Sequence, residues 1–202
     1  LKGRVFNKML DGDTAIAPNI LKLANGGYFA KDSTGKSLGG GLWFKNAYSG
    51  GYPTVRGTMA TYMGFPSHPN RDVPSFYAAN KFKGWPEYLT NYQKKYMTVS
   101  NPIFDHTLPF IEKFFGKNWF LPQEVTVAGT VDSLGADRAM ELLKSLSTDS
   151  SWLLVFNTIS SHIPFHNYPE AFAEKPDDAM VRYRNAVRYT DKQLGRFFEA
   201  LS

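Results

Sequence analysis

Ser151-Trp-Leu-Leu-Val-Phe-Asn-Thr-Ile159 is the stretch that decides the fold. It is apolar almost throughout and bounded by polar residues. A short run of this kind is a strand buried on both faces, as in the middle of a parallel sheet covered by helices. It ends in Ser160-Ser-His-Ile-Pro-Phe165. In an open α/β sheet, ligands bind outside the carboxyl ends of the strands. On position alone, His162 therefore has a better claim to function than His68, His106 or His166.

Working outward, Asp177 or Asp178 caps a long helix running to about Leu201. Met180, Tyr183, Val187, Leu194, Phe197, Phe198 and Leu201 form its buried stripe, and its arginines a solvated face. Before the strand, Asp132 or Ser133 opens a turn into a helix over residues 136–146, with Met140, Leu142, Leu143 and Leu146 facing inward. Residues 124–131 read as a strand. Asp105-His106 begins a further helix whose apolar stripe is Phe110, Ile111, Phe114 and Phe115. That pair is read as a cap and a first-turn residue rather than a metal site. Residues 96–100 read as a short strand, and residues 85–95 as an amphipathic helix with Pro86 in its first turn. Strands alternating with helices give one α/β domain with a mostly parallel sheet flanked by helices.

The second informative stretch is Ser49-Gly-Gly-Tyr-Pro-Thr-Val-Arg-Gly-Thr-Met-Ala-Thr-Tyr-Met-Gly64. Residues 42–48 read as a strand entering it. Pro53 disfavours helix before Thr54, and Thr54 is a good N-cap residue. Val55, Met59, Tyr62 and Met63 then recur at helical spacing until Gly64 and Pro66 stop the helix. A hydroxyl there faces unpaired backbone donors and the positive end of the helix dipole, a place for phosphate or sulfate. A capping threonine is the plain alternative. Residues 17–27 form a short helix with Pro18 in its first turn, Ile20, Leu21 and Leu23 inward, and Gly26 at its end. The glycines of residues 32–41 match no nucleotide-binding fingerprint. His68 reads as a solvated loop residue, and Asp11-Gly-Asp13 as a turn.

The chain has 202 residues, of which 43% are hydrophobic, 15% aromatic and 20% charged. That is a globular composition with enough length for one sizeable core. It has no cysteine, which excludes disulfides, thiolate metal sites and a cysteine nucleophile. The net charge of +5 favours anionic partners such as phosphorylated substrates or anionic lipid headgroups. No Lys/Arg block is dense enough for nucleic acid. No apolar run approaches the roughly 18 residues of a membrane span. A start on Leu1 is compatible with a removed leader or anchor.

The order of these pieces resembles the alkaline phosphatase/sulfatase superfamily, nearest to its lipoteichoic acid synthase and phosphoethanolamine transferase branch. Ala17-Pro-Asn-Ile-Leu-Lys-Leu-Ala24 is similar to the family's T-P-N-L-D-x-L-A helix. Trp43 to Ser49 resembles the strand leading to the nucleophile, and Thr54 to Gly64 the nucleophile helix. Thr158-Ile-Ser-Ser-His-Ile-Pro-Phe165 resembles T-x-S-x-H-x-P-F. Residues 183–201 resemble the helix Y-x-x-x-V-x-Y-T-D-x-x-L-G-x-F.

The resemblance implies an alkaline phosphatase-like fold in which Thr54 is the nucleophile and a metal ligand. It implies that His162 contacts the substrate's phosphate or sulfate. It implies a divalent cation (Mn, Mg, Zn or Ca), a phosphate- or sulfate-ester substrate, and an extracytoplasmic site with contact to anionic membrane lipid. Formylglycine-dependent sulfatases carry Cys or Ser at the nucleophile position. Here it is Thr54, with Arg56 and Thr58 two and four residues on, which fits phosphotransfer better than sulfate-ester hydrolysis. A sulfatase, or a non-catalytic binder of anionic glycans, remains the alternative.

The family's first acidic metal ligand precedes the segment matched here, and its Asp-His pair follows beyond Ser202. Residues 1–202 are thus expected to be the middle portion of a catalytic domain. Lowering an alcohol's pKa from about 15–16 to about 7 needs about 11 kcal/mol, and a helix dipole supplies roughly 0.3–2 kcal/mol. A metal is therefore required, and the 202-residue chain alone is expected to be inactive or very weak. The His and Arg residues that lipoteichoic acid synthases carry in the region of residues 100–108 have no match here, which leaves glycerol-phosphate specificity open.

Overall fold

The structure, a computed structural model, describes residues 15–42, 44, 46–66, 68, 70–122, 132–174 and 178–202. Its frame is a parallel sheet of β1 (Gln93–Thr98), β2 (Trp119–Phe120) and β3 (Trp152–Asn157), in the order β2-β1-β3. β1 pairs with β3 from Gln93 opposite Trp152 to Thr98 opposite Asn157, and with β2 at Tyr96 and Met97. The helices are α1 (Pro18–Ala24), α2 (Thr54–Met63), α3 (Val73–Tyr77), α4 (Leu108–Phe115), α5 (Asp132–Lys144) and α6 (Ala179–Leu201).

The period-2 alternation of the strands sorts the helices into two layers. On one face Tyr96, Leu153 and Val155 pack with Met59 and Tyr62 of α2 and Phe110, Ile111, Phe114 and Phe115 of α4. On the other, Met97, Leu154 and Phe156 pack with Ala139 and Leu142 of α5 and Phe197 of α6. This is the expected α/β architecture, a parallel sheet between helical layers. Outside it, α1 lies against α6, with Ile16, Ala17, Tyr183 and Val187 buried between them. The approach is close at Gly195, where a Cβ would stand 2.4 Å from the Asn19 side chain.

Several expectations hold in detail. Pro18 opens α1, Gly64 ends α2 with φ +75°, and Asp178 caps α6 through bonds from Met180 and Val181. Others need correction. The Ser151–Ile159 run has both faces covered, but the middle of the described sheet is β1, not β3. Residues 85–95 are not a helix. Trp85–Tyr88 makes one 3-10 turn, closed by Glu87 accepting from the Gly84 N–H at 2.8 Å, and β1 starts at Gln93. Six-residue pairing with β3 satisfies that backbone instead.

The described residues of 42–48 form no strand. Leu42 and Tyr48 are 80% and 86% exposed, and the segment has no paired neighbour among the described residues. Nor do Asp105 and His106 open a helix. His106 closes a turn onto the Ile103 carbonyl with φ +52°, and α4 starts two residues later. Met180 and Leu201, expected inside, are exposed at the two ends of α6. The turn at Asp11–Asp13 and the strand at residues 124–131 lie outside the described residues.

Candidate functional site

Thr54 is exposed and is the first residue of α2; Pro53, not Thr54, occupies the N-cap position. The Pro53 carbonyl accepts from the Arg56 N–H at 3.0 Å, and no side chain caps the helix. The threonine hydroxyl is thus not consumed in capping its own helix. Behind it the loop is folded against α2. Ser49 Oγ donates to the Gly51 carbonyl at 2.7 Å, and a Cβ on Gly50 would lie 2.6 Å from the Ala60 Cβ. Glycine lets the two backbones approach. Val55, Met59 and Tyr62 hold the helix from below.

Arg56, the third residue of α2, bonds the Tyr52 carbonyl at 3.4 Å, and its charge acts on Asp72, the N-cap of α3. Burial works against the Asp72 carboxylate. Its bonds from Ser75, with the Arg56 charge, outweigh burial and hold it below the usual carboxylate range.

His162 lies in the loop after β3, also exposed. Its Nδ1 is 2.6 Å from the Ile163 carbonyl. A carbonyl can only accept, so this contact assigns the proton to Nδ1 and leaves Nε2 for a ligand. The backbone is held on both sides. The His162 N–H donates to the Ile159 carbonyl, and the Phe165 N–H to the His162 carbonyl, both at 2.8 Å. Phe165 takes φ +67°, which a non-glycine residue adopts only where its surroundings impose it. Its ring is fixed edge-on to Tyr183, 5.1 Å between centroids.

Upstream, the loop is tied to Asp132, a residue read from the sequence only as a helix opener. Its carboxylate is fully buried and accepts from Ile159 N–H at 2.8 Å, Ser160 N–H at 3.2 Å and Thr190 Oγ1 at 2.6 Å. Neither Asp132 nor Thr190 stood out as a site residue in the sequence. Their only prior signal is Thr190's place in the Tyr-Thr-Asp run of α6.

No hydrogen bond joins Thr54 to His162 among the described residues. Their elements are linked through the core, where Tyr62 of α2 faces Tyr96 of β1 and Tyr96 faces Asn157 at the end of β3. Burial pushes the Tyr62 hydroxyl well above its ordinary pKa and Tyr96 up to about 12, so both stay neutral hydrogen-bonding groups. Among the described residues no three His, Asp or Glu side chains gather to hold a metal ion. The surroundings of Thr54 fit an anion, since the first turn of α2 carries no acidic residue; they do not by themselves fit a cation. No described helix is long and apolar enough to cross a membrane.

The sequence model of the Sulfatase family matches residues 33–202. The chain belongs to the sulfatase family. Among solved structures it is similar to a protein in the alkaline phosphatase superfamily from Vibrio parahaemolyticus, at 27% identity and a TM-score of 0.71 over 98% of this chain and 47% of that one. It is also similar in fold to the lipoteichoic acid synthase LtaP from Listeria monocytogenes, at 17% identity and a TM-score of 0.66, over 92% of this chain and 46% of that one. The sulfatase-family chain described here thus spans about half the length of the structures it matches. The resemblance carried by the Thr54 helix, the His162 segment and α6 agrees with these similarities, as does the parallel sheet flanked by helices.

Proposed function

We propose that this sulfatase-family protein is a metal-dependent phosphotransferase or phosphoric-ester hydrolase with Thr54 as its nucleophile. The observation that carries the proposal is the exposed Thr54 hydroxyl at the uncapped N-terminus of α2. In the first step the Thr54 oxygen attacks phosphorus in line. The bond to the leaving alcohol breaks, Thr54 gives up its proton, and the leaving oxygen gains one. Water or an acceptor alcohol then attacks the phosphothreonine, the bond to Thr54 breaks, and the threonine regains a proton.

Charge on the transferred group is met by the backbone donors and dipole at the start of α2. His162 donates an Nε2–H to a phosphate oxygen, and since Nδ1 donates to the Ile163 carbonyl the ring in that complex is the doubly protonated imidazolium. A divalent cation, one of Mn, Mg, Zn or Ca, belongs to the proposal. It would supply charge neutralisation at the transferring group. Among the described residues Thr54 is the ligand proposed for it, and no cluster of three acidic or histidine side chains stands beside it.

The substrate class is a phosphate-bearing ester, including a lipid headgroup, and nucleic acid is not a partner. The net charge of +5 supports action near anionic lipid, and an extracytoplasmic location belongs to the proposal through the family resemblance. The family also includes the alternative of a sulfuric-ester hydrolase. The test compares chromogenic phosphodiester, phosphomonoester and sulfate-ester substrates on the full-length protein with each cation, before and after Thr54→Ala. Phosphoester turnover lost in Thr54→Ala is expected. A preference for the sulfate ester selects the sulfatase alternative. Function that survives Thr54→Ala overturns the nucleophile and favours a non-catalytic anion binder.

A further inference from the structure

Asp132 is a fully buried carboxylate, and among the described residues no Lys or Arg pairs with it. Burying a charge is costly unless its hydrogen bonds compensate. Here they do so at one place, the loop after β3. One oxygen of Asp132 accepts from the Ile159 and Ser160 amides, and the other from the Thr190 hydroxyl of α6. The Ser160 hydroxyl returns a bond by accepting from the Asp132 N–H at 3.4 Å. Both carboxylate oxygens are used, and the four hydrogen bonds that converge here stiffen the junction.

The stiffness is passed on through one residue. Ile159 donates its N–H to Asp132 and offers its carbonyl to the His162 N–H. On the far side, Phe165 docks on Tyr183, which lies two turns from Thr190 on the same helix. The two ends of the loop are therefore pinned to one face of α6, with His162 between them and its ring turned by the Ile163 carbonyl.

We propose that Asp132, held in place by Thr190, is a positioning residue that fixes His162 for the substrate's phosphate. This rests on the role proposed above for His162. The clamp acts through backbone geometry and touches no substrate itself. A misplacement near 1 Å at a contact of this kind costs up to about 100-fold in rate.

The test uses the full-length protein with Thr190→Val, Thr190→Ser and His162→Gln, alone and combined, assayed on a phosphodiester. Hydrogen exchange is followed by mass spectrometry in the peptide covering residues 158–165. Thr190→Val removes the donor and keeps the shape. The expected result is a loss in kcat/KM of about 10- to 100-fold, carried mainly by kcat, with faster exchange in that peptide. Thr190→Ser restores most of both. In the His162→Gln background, Thr190→Val has no further effect.

Equal losses from Thr190→Val with and without His162 overturn the proposal, as does unchanged exchange at residues 158–165. Should Thr190→Val fail to fold, Asp132→Asn keeps the acceptor for Ile159 and Ser160, removes the charge, and gives the same cycle with His162→Gln. Unchanged turnover in His162→Gln alone defeats the role given to His162. Unchanged exchange in Thr190→Val defeats the clamp. The two failures are therefore separable.

Discussion

Thr190 Oγ1 donates to Asp132 Oδ2 at 2.6 Å, while the next residue on the same helix, Asp191, reaches in another direction to cap α1. Just before them the Tyr189 hydroxyl accepts from the Ser133 N–H at 3.2 Å. Three consecutive residues of α6 thus reach two pieces of chain: Tyr189 and Thr190 hold the start of α5, and through Asp132 the loop carrying His162, while Asp191 holds the first turn of α1. A helix turns by about 100° per residue, which lets Thr190 and Asp191 point to different elements.

Asp191 supplies a cap that α1 cannot supply itself, since Ala17 occupies the N-cap position. Its carboxylate accepts from the Asn19 and Ile20 amides at 3.1 and 2.9 Å and from Asn19 Nδ2 at 2.8 Å. Asp191→Ala should lower stability by about 1–3 kcal/mol, read as a lower urea midpoint. Asp191→Asn, which keeps an acceptor, should lose less. An unchanged midpoint in Asp191→Ala would show that α1 needs no cap from α6.

Gly50→Ala tests the fold of the loop behind Thr54. The new Cβ would stand 2.6 Å from the Ala60 Cβ, on a helix that cannot yield, so the loop must move off α2. Because the loop is at the surface, stability should change by no more than about 1 kcal/mol. Turnover should fall by about tenfold or more as Thr54 loses its alignment. Thermal denaturation and kcat/KM on the same preparation separate the two effects.

Alkaline pH should unfold the protein through its buried tyrosines. An unfolded tyrosine loses its proton near pH 10. Burial holds Tyr96 to about 12 and raises Tyr62 and Tyr183 as well. Above about pH 10 the unfolded state therefore releases protons that the native state keeps, and stability falls as pH rises. Below about pH 10 this contribution is fully present. Near-ultraviolet circular dichroism and tyrosinate absorbance should change together above about pH 10. Tyr62→Phe removes one such group and should move the alkaline midpoint upward; a midpoint unmoved by it contradicts this linkage.

The sequence exposes what local periodicity controls. The apolar run of β3, the stripe of α6, Pro18 before α1 and Gly64 after α2 each signal their element within a few residues. It hides what distant pairing decides. Trp85, Tyr88, Leu89 and Tyr92 repeat at helical spacing, yet pairing with β3 some 60 residues away turns the end of that segment into β1. The exposed aromatics at residues 42–48 have the composition of a strand but no described partner strand. Thr54 and His162 were accessible as candidates because each follows a local signal, a helix start and a strand end. Asp132 was not, since its acceptors' donors are 27, 28 and 58 residues away.

The central claim is that Thr54 carries the transferred group. The most direct measurement is mass spectrometry of the full-length protein, acid-quenched during turnover of a phosphodiester with a divalent cation. The account predicts a phosphoryl adduct on the peptide containing Thr54, localised to that residue and absent in Thr54→Ala. Turnover with no adduct on Thr54, or with the adduct on another residue, would contradict it.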